Sequence, residues 1–264
     1  MKRTFVAVAA LATLVGTPAL AADMALKAAP PPAPAATWTG WYIGADVGGT
    51  WFNQSATWNP LPTPAAFGAN PITGTEKASG VIGGVYAGYN YQIAPSGLVG
   101  IEADFSGTGA KANQTQTWTT PITGTPFPGD FTSTSTRLDW LVSVRGRLGF
   151  LPTPQVLAYV TGGAAWGGFN YSASNSNAGT GGAGPTFYNA PVSFNKTQTG
   201  FVVGGGLEWM ATRNWLLRAE YLYYGFNSGP NVTGTSANFP LFPSNYVWGR
   251  TNVNVARVGA AYKF

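Results

Sequence analysis

Eight stretches of this chain alternate apolar and polar residues with period two, and the connections between them alternate strictly between short and long. The stretches run Trp41 to Phe52, Ser79 to Ala94, Leu98 to Ser106, Thr136 to Phe150, Val156 to Tyr171, Thr197 to Met210, Trp215 to Phe226 and Thr251 to Phe264. Three connections are short: Pro95 to Gly97, Leu151 to Gln155 and Ala211 to Asn214. Four are long and rich in Gly, Ser, Thr, Asn and Pro: Asn53 to Ala78, Gly107 to Ser135, Ser172 to Lys196 and Asn227 to Arg250. The pattern predicts an all-β, up-and-down arrangement with the short turns at one end and the long connections at the other.

Period two also sorts the side chains by face. Val99, Ile101, Ala103 and Phe105 oppose Glu102 and Asp104, and Phe201, Val203, Leu207 and Trp209 oppose Glu208. Trp215, Leu217, Ala219, Tyr221 and Tyr223 oppose Arg218 and Glu220. Leu138, Trp140, Val142, Val144, Leu148 and Phe150 oppose Arg137, Asp139, Arg145 and Arg147. Strands one and eight add Asp46 and Arg257 to the charged face. A soluble barrel would turn those charges to water, but only 9% of the 264 residues are charged, far below the ~25% of soluble domains. The faces are therefore expected inverted, apolar to lipid and charged to the lumen.

The residues also exclude the helical route into a membrane. Glycine (36) and proline (20) interrupt every apolar run after the first two dozen residues. That first run, MKRTFVAVAALATLVGTPALAAD, has Lys2 and Arg3, a short apolar stretch and a small-residue site, the layout of a secretory signal peptide. Residues 1–21 are expected to be removed, with a cut after Ala22 as the alternative. An Ala/Pro-rich linker follows over 22–37. Backbone amides in hydrocarbon need internal partners, so apart from helices only a closed barrel spans a bilayer. The expectation is an eight-stranded antiparallel transmembrane β-barrel over 38–264, in a Gram-negative outer membrane, with both termini periplasmic. Aromatics on the apolar face form two belts, Trp41, Phe150, Trp209, Trp215, Tyr262 and Phe264 toward the short turns, and Trp51, Phe105, Trp140, Phe201 and Tyr223 toward the long connections.

The segments GIEADFSG, SVRGRLGF, AYVTGGAAWG, GFVVGGGLEWMATRNWLLRAEYLYY and ARVGAAYKF resemble the small porin-family outer-membrane β-barrel proteins of alphaproteobacteria. These are similar to the transmembrane domain of OmpA without its peptidoglycan-binding domain. In the strand containing Glu220 and Tyr221, Leu222 stands where the family pattern has a third charged residue. The last strand, closing on Tyr262 and Phe264, resembles the signal read by the outer-membrane assembly machinery, which the resemblance implies as a partner beside membrane lipid and lipopolysaccharide.

Little in the chain suggests catalysis. With no His and no Cys, a Ser-His or Asp-His arrangement is impossible, and no metal cluster or cofactor motif stands out. GTGGAG at Gly179 to Gly184 has neither a strand before it nor a helix after it. Loss of Lys2 and Arg3 lowers the formal net charge from +5 to +3, and no basic run points to nucleic acid. The candidate site is instead a lumenal charge network of Asp46, Glu102, Asp104, Asp139, Arg145, Arg147, Glu208, Arg218, Glu220 and Arg257. Nearly balanced charges tend to pair and plug, which favours a structural and surface role; a narrow or gated diffusion pore is the alternative.

Overall fold

The computed structural model describes residues 37–61, 71–119, 126–176, 189–237, 240–241 and 243–264. The expected signal peptide, nearly all of the expected linker and the Gly179 to Gly184 stretch lie outside them. Among the described residues ten strands form: β1 (Gly40–Pro60), β2 (Ile72–Ala94), β3 (Gly97–Thr108), β4 (Lys111–Thr119), β5 (Pro126–Thr153), β6 (Val156–Ser176), β7 (Val192–Met210), β8 (Trp215–Ser228), β9 (Asn231–Gly234) and β10 (Ser244–Lys263). Eight of them close a ring in the order β1-β2-β3-β5-β6-β7-β8-β10, with β10 pairing back onto β1 from Tyr42↔Lys263 to Pro60↔Ser244. Every ladder is antiparallel. The other two strands continue ring strands: β4 carries on beyond β3 along β5, and β9 beyond β8 along β10. Leu138 N–H to Ala110 C=O (2.9 Å) and Trp248 N–H to Pro230 C=O (3.0 Å) span the two interruptions.

The long connections differ from expectation. Much of Asn53 to Ala78, Gly107 to Ser135, Ser172 to Lys196 and Asn227 to Arg250 is sheet, because the alternation continues in a different chemistry. Along β1 the inward set is Phe52, Gln54, Ala56 and Trp58, while Asn53 and Ser55 face out. The Ser, Thr and Asn content that suggests a loop is that of a strand with one face in water. The 21 residues of β1 extend about 70 Å at the usual rise, more than a tilted strand needs for a ~25 Å apolar band. The hairpins therefore carry the barrel well beyond the bilayer.

The outer surface is apolar and uncovered: Val81, Val85, Ile101, Val144, Leu148, Val160, Val203, Leu207 and Val258 all point away from the lumen. Aromatics edge this band. At the short-turn end Trp215, Tyr262 and Phe264 meet edge to face in sequence at 5.6 and 5.3 Å between ring centroids. At the hairpin end Phe201 lies 6.2 Å from Tyr223.

Inside, the side chains form layers. Trp38, Leu98, Leu151, Leu157, Met210, Leu216 and Ala261 close the short-turn end. A much larger apolar cluster fills the hairpin half, including Ile82, Leu141, Val202, Leu222, Phe169, Phe226 and Trp248. Its far end holds Trp58 stacked on Trp118 at 4.5 Å. Between the two lies the charged layer.

Candidate functional site: a charged layer inside the barrel

Five carboxylates and four guanidinium groups meet at mid-barrel, each brought in by strand parity. Asp46 comes from β1, Glu102 and Asp104 from β3, Arg145 and Arg147 from β5, Glu208 from β7, Arg218 and Glu220 from β8, and Arg257 from β10. The register aligns them, with Glu102 opposite Arg145, Glu208 opposite Arg218 and Glu220 opposite Arg257. All nine are buried.

Glu102 is the hub. It receives Arg145 Nη2 at 2.5 Å, Arg218 Nη1 at 2.9 Å and Arg147 Nη1 at 3.3 Å. Glu220 takes Arg257 at 2.7 Å and Arg145 at 2.9 Å, and Arg218 stands further off at 3.7 Å. Arg218 and Arg257 share Asp46 at 2.8 and 3.2 Å. Asp104 sits between Arg145 (3.1 Å) and Arg257 (3.4 Å) and accepts a hydrogen bond from Ser143. Glu208 has one guanidinium partner within ion-pair distance, Arg147 at 2.5 Å. Removing water from a charge costs several kcal/mol per ion, and only close, hydrogen-bonded partners offset that. Every arginine here has at least two carboxylates, which is how the layer survives burial.

Three tyrosines that the sequence argument passed over complete the layer. Tyr42 donates to Glu102 (2.7 Å) and accepts from Arg147 (2.6 Å), while Tyr159 donates to Glu220 (3.0 Å). The Arg218 guanidinium lies over the Tyr86 ring at 3.3 Å, and that of Arg147 over Tyr159 at 4.0 Å. Cation–π contact strengthens when both partners are dry. The available signal was parity, since Tyr42 shares its face with Asp46. The glycines make room for these rings: a Cβ on Gly206 would lie 2.8 Å from the Tyr159 hydroxyl.

Asp139 does not join the layer, which corrects the sequence assignment. The register of β5 against β6 shifts between Leu138 and Trp140, and a bulge of one residue reverses the side-chain alternation. Leu138 is therefore turned inward and fully buried, not toward lipid. Arg137 and Asp139 stand on the outer side, paired with each other at 2.7 Å and partly exposed, with Asn170 also donating to Asp139. Leu222, at the position where a third charge was implied, is buried and belongs to the apolar cluster.

Such a layer binds itself. Among the described residues no group of His, Cys, Asp or Glu could hold a metal ion. Each of its guanidinium groups and carboxylates has at least one oppositely charged partner in the layer, although Asp46 Oδ1, Glu208 Oε2 and the Nε of Arg145, Arg147 and Arg218 accept or donate no hydrogen bond, and apolar layers lie on both sides.

Comparison with known proteins finds similar chains. The 31 kDa outer-membrane immunogenic protein of Brucella melitensis is 29% identical over 269 residues, covering 98% of this chain and 99% of the relative. The 22 kDa outer membrane protein of Rhizobium leguminosarum bv. viciae is 27% identical, covering 75% of this chain and 69% of that one. Among solved structures, Neisserial surface protein A is similar at 15% identity, with 86% of this chain and 98% of that chain covered and a TM-score of 0.36. A family model described as the outer membrane protein beta-barrel domain matches residues 7–264. With an apolar outer wall, a paired charged interior and that match over almost its whole length, the chain belongs to the outer-membrane β-barrel protein family.

Proposed function

We propose that this barrel is a closed structural anchor that holds its long hairpins at the cell surface, and that it neither conducts nor catalyses. The observation that carries the reading is the layered lumen. A path for solutes would have to cross the apolar cluster of the hairpin half, the cross-paired charges and the Trp38 to Ala261 layer in turn. An eight-stranded barrel leaves an interior that side chains just fill. Lumenal carboxylates engaged by arginines make poor general acids or bases, and no His or Cys is present to supply another group.

In this reading the short turns and both chain ends face the periplasm, where Trp41, Trp215, Tyr262 and Phe264 anchor the wall at the lipid interface. Tyr262 and Phe264 are then the residues the assembly machinery reads. The hairpins face outward, which fits the name of the Brucella relative as an immunogenic protein. The test is single-channel recording of the refolded, heat-modifiable protein in planar bilayers. The expected record is flat; uniform, ohmic conductance steps would overturn the closed-anchor reading in favour of a diffusion pore.

A further inference from the structure

Outside the lumen, exposed cations gather in one sector of the wall. Lys77 on β2, Lys111 on β4 and Arg137 on β5 stand on neighbouring strands and are all exposed. Lys111 is directly opposite Arg137 in the β4–β5 register. The β2 to β4 approach is fixed by Gln116 Nε2 donating to Thr73 C=O at 3.1 Å and by Gly80 lying against Ala110, which places Lys77 level with Asn113 and diagonal to Lys111. Like charges facing each other across a ladder are destabilising, and Asp139 offsets only one of the three, at 2.7 Å from Arg137. Arg250, exposed on β10 across β1 from β2, adds a fourth cation to the same sector. Among the described residues the remaining carboxylates of the hairpin half, Glu76 and Asp130, are buried.

The height of this patch gives it meaning. On β2, Lys77 lies four residues beyond Val81 on the same outward face; on β5, Arg137 lies just past Trp140; and β4 begins six residues after Phe105. Val81, Phe105 and Trp140 are the last large apolar side chains of the wall before the cations, and Phe131 on β5 stands farther toward the hairpin tip. The cations therefore sit where the hydrocarbon stops and headgroups begin.

We infer that Lys77, Lys111 and Arg137, with Arg250 beside them, form a docking surface for the phosphate groups of an anionic glycolipid in the leaflet at the hairpin end. Phosphate would relieve the Lys111–Arg137 repulsion and accept hydrogen bonds from both groups. Basic residues at a charged membrane surface each contribute about 1 kcal/mol, screened by salt.

The experiment uses the full barrel in phosphatidylcholine vesicles with or without diphosphoryl lipid A, reading the temperature at which the folded, fast-migrating band is lost. Wild type is expected to shift upward with lipid A. Lys77→Gln/Lys111→Gln is expected to lose at least half of that shift while being no less stable than wild type in phosphatidylcholine alone, because repulsion has gone. The Arg213→Gln control, in the short turn at the other end, should keep the full shift. Dephosphorylated lipid A should give little shift, high salt should shrink it, and inorganic phosphate in plain vesicles should give none, which separates a lipid headgroup from free phosphate. An unchanged shift in the double variant, or an equal loss in the Arg213 control, would overturn the inference. Because no arm depends on conductance, its failure leaves the closed-anchor reading to be judged on its own test.

Discussion

Glu102 and Glu208 provide a test in which charge counting and geometry disagree. Replacing either by Gln removes one of five lumenal carboxylates and leaves four against four arginines, so formal balance favours both variants equally. The contacts do not. Glu102 accepts from Arg145, Arg147, Arg218 and Tyr42 at 2.5 to 3.3 Å, and a Gln amide would turn one NH₂ toward guanidinium donors in a buried site. Breaking such a hub is worth about 3 to 5 kcal/mol. Glu208 has Arg147 at 2.5 Å, and a Gln oxygen can still accept that bond while Arg147 keeps Glu102 and Tyr42, so the loss is about 1 to 2 kcal/mol. At a few degrees per kcal/mol for a domain of this size, the two midpoints should differ by roughly 5 to 10 °C. Loss of the fast-migrating band on heating, checked by urea titration in vesicles, measures both. Equal shifts, or no shift for Glu102→Gln, would mean that water screens the layer, and the argument for a closed lumen would fall with it.

The remaining expectations use the same assays. Val144→Arg, on the lipid-facing wall near mid-strand, should cost about 2 to 4 kcal/mol, whereas Val144→Leu should be neutral; tolerance of Arg there would mean the faces are inverted. Asp139→Asn should change stability by less than about 1 kcal/mol, as for an exposed pair, while Asp104→Asn, which takes one of three buried carboxylate partners from each of Arg145 and Arg257, should cost more; equal effects would refute the bulge. Glu76, buried with no arginine or lysine within ion-pair distance among the described residues, should be better as the neutral Gln. Glu76→Gln is expected to raise the heat-conversion midpoint at neutral pH, and a lowered midpoint would show that the carboxylate is satisfied.

How much of this was legible depends on how far period two holds without interruption. Across β3, β7 and β8 no irregularity intervenes inside the wall, and alternation alone placed Glu102, Asp104, Glu208, Arg218 and Glu220 in the lumen. In β5 a single extra residue near Asp139 broke the alternation. Such a bulge has no strong residue signature here, so every assignment carried through it from Arg145 back to Arg137 changed face. The hairpins were missed for a different reason. Their outward Thr, Ser and Asn carry no hydrophobic contrast, yet Phe52, Ala56 and Trp58 on β1 and Tyr171 and Ala173 on β6 keep the inward period to the far end of the apolar cluster. A strand that leaves the bilayer exchanges its lipid-facing residues for polar ones and keeps its lumenal set. The inward half of the alternation is thus the more faithful guide to where the barrel ends, and by that measure it extends past the last lipid-facing aromatic of β1, Trp51, to Trp58.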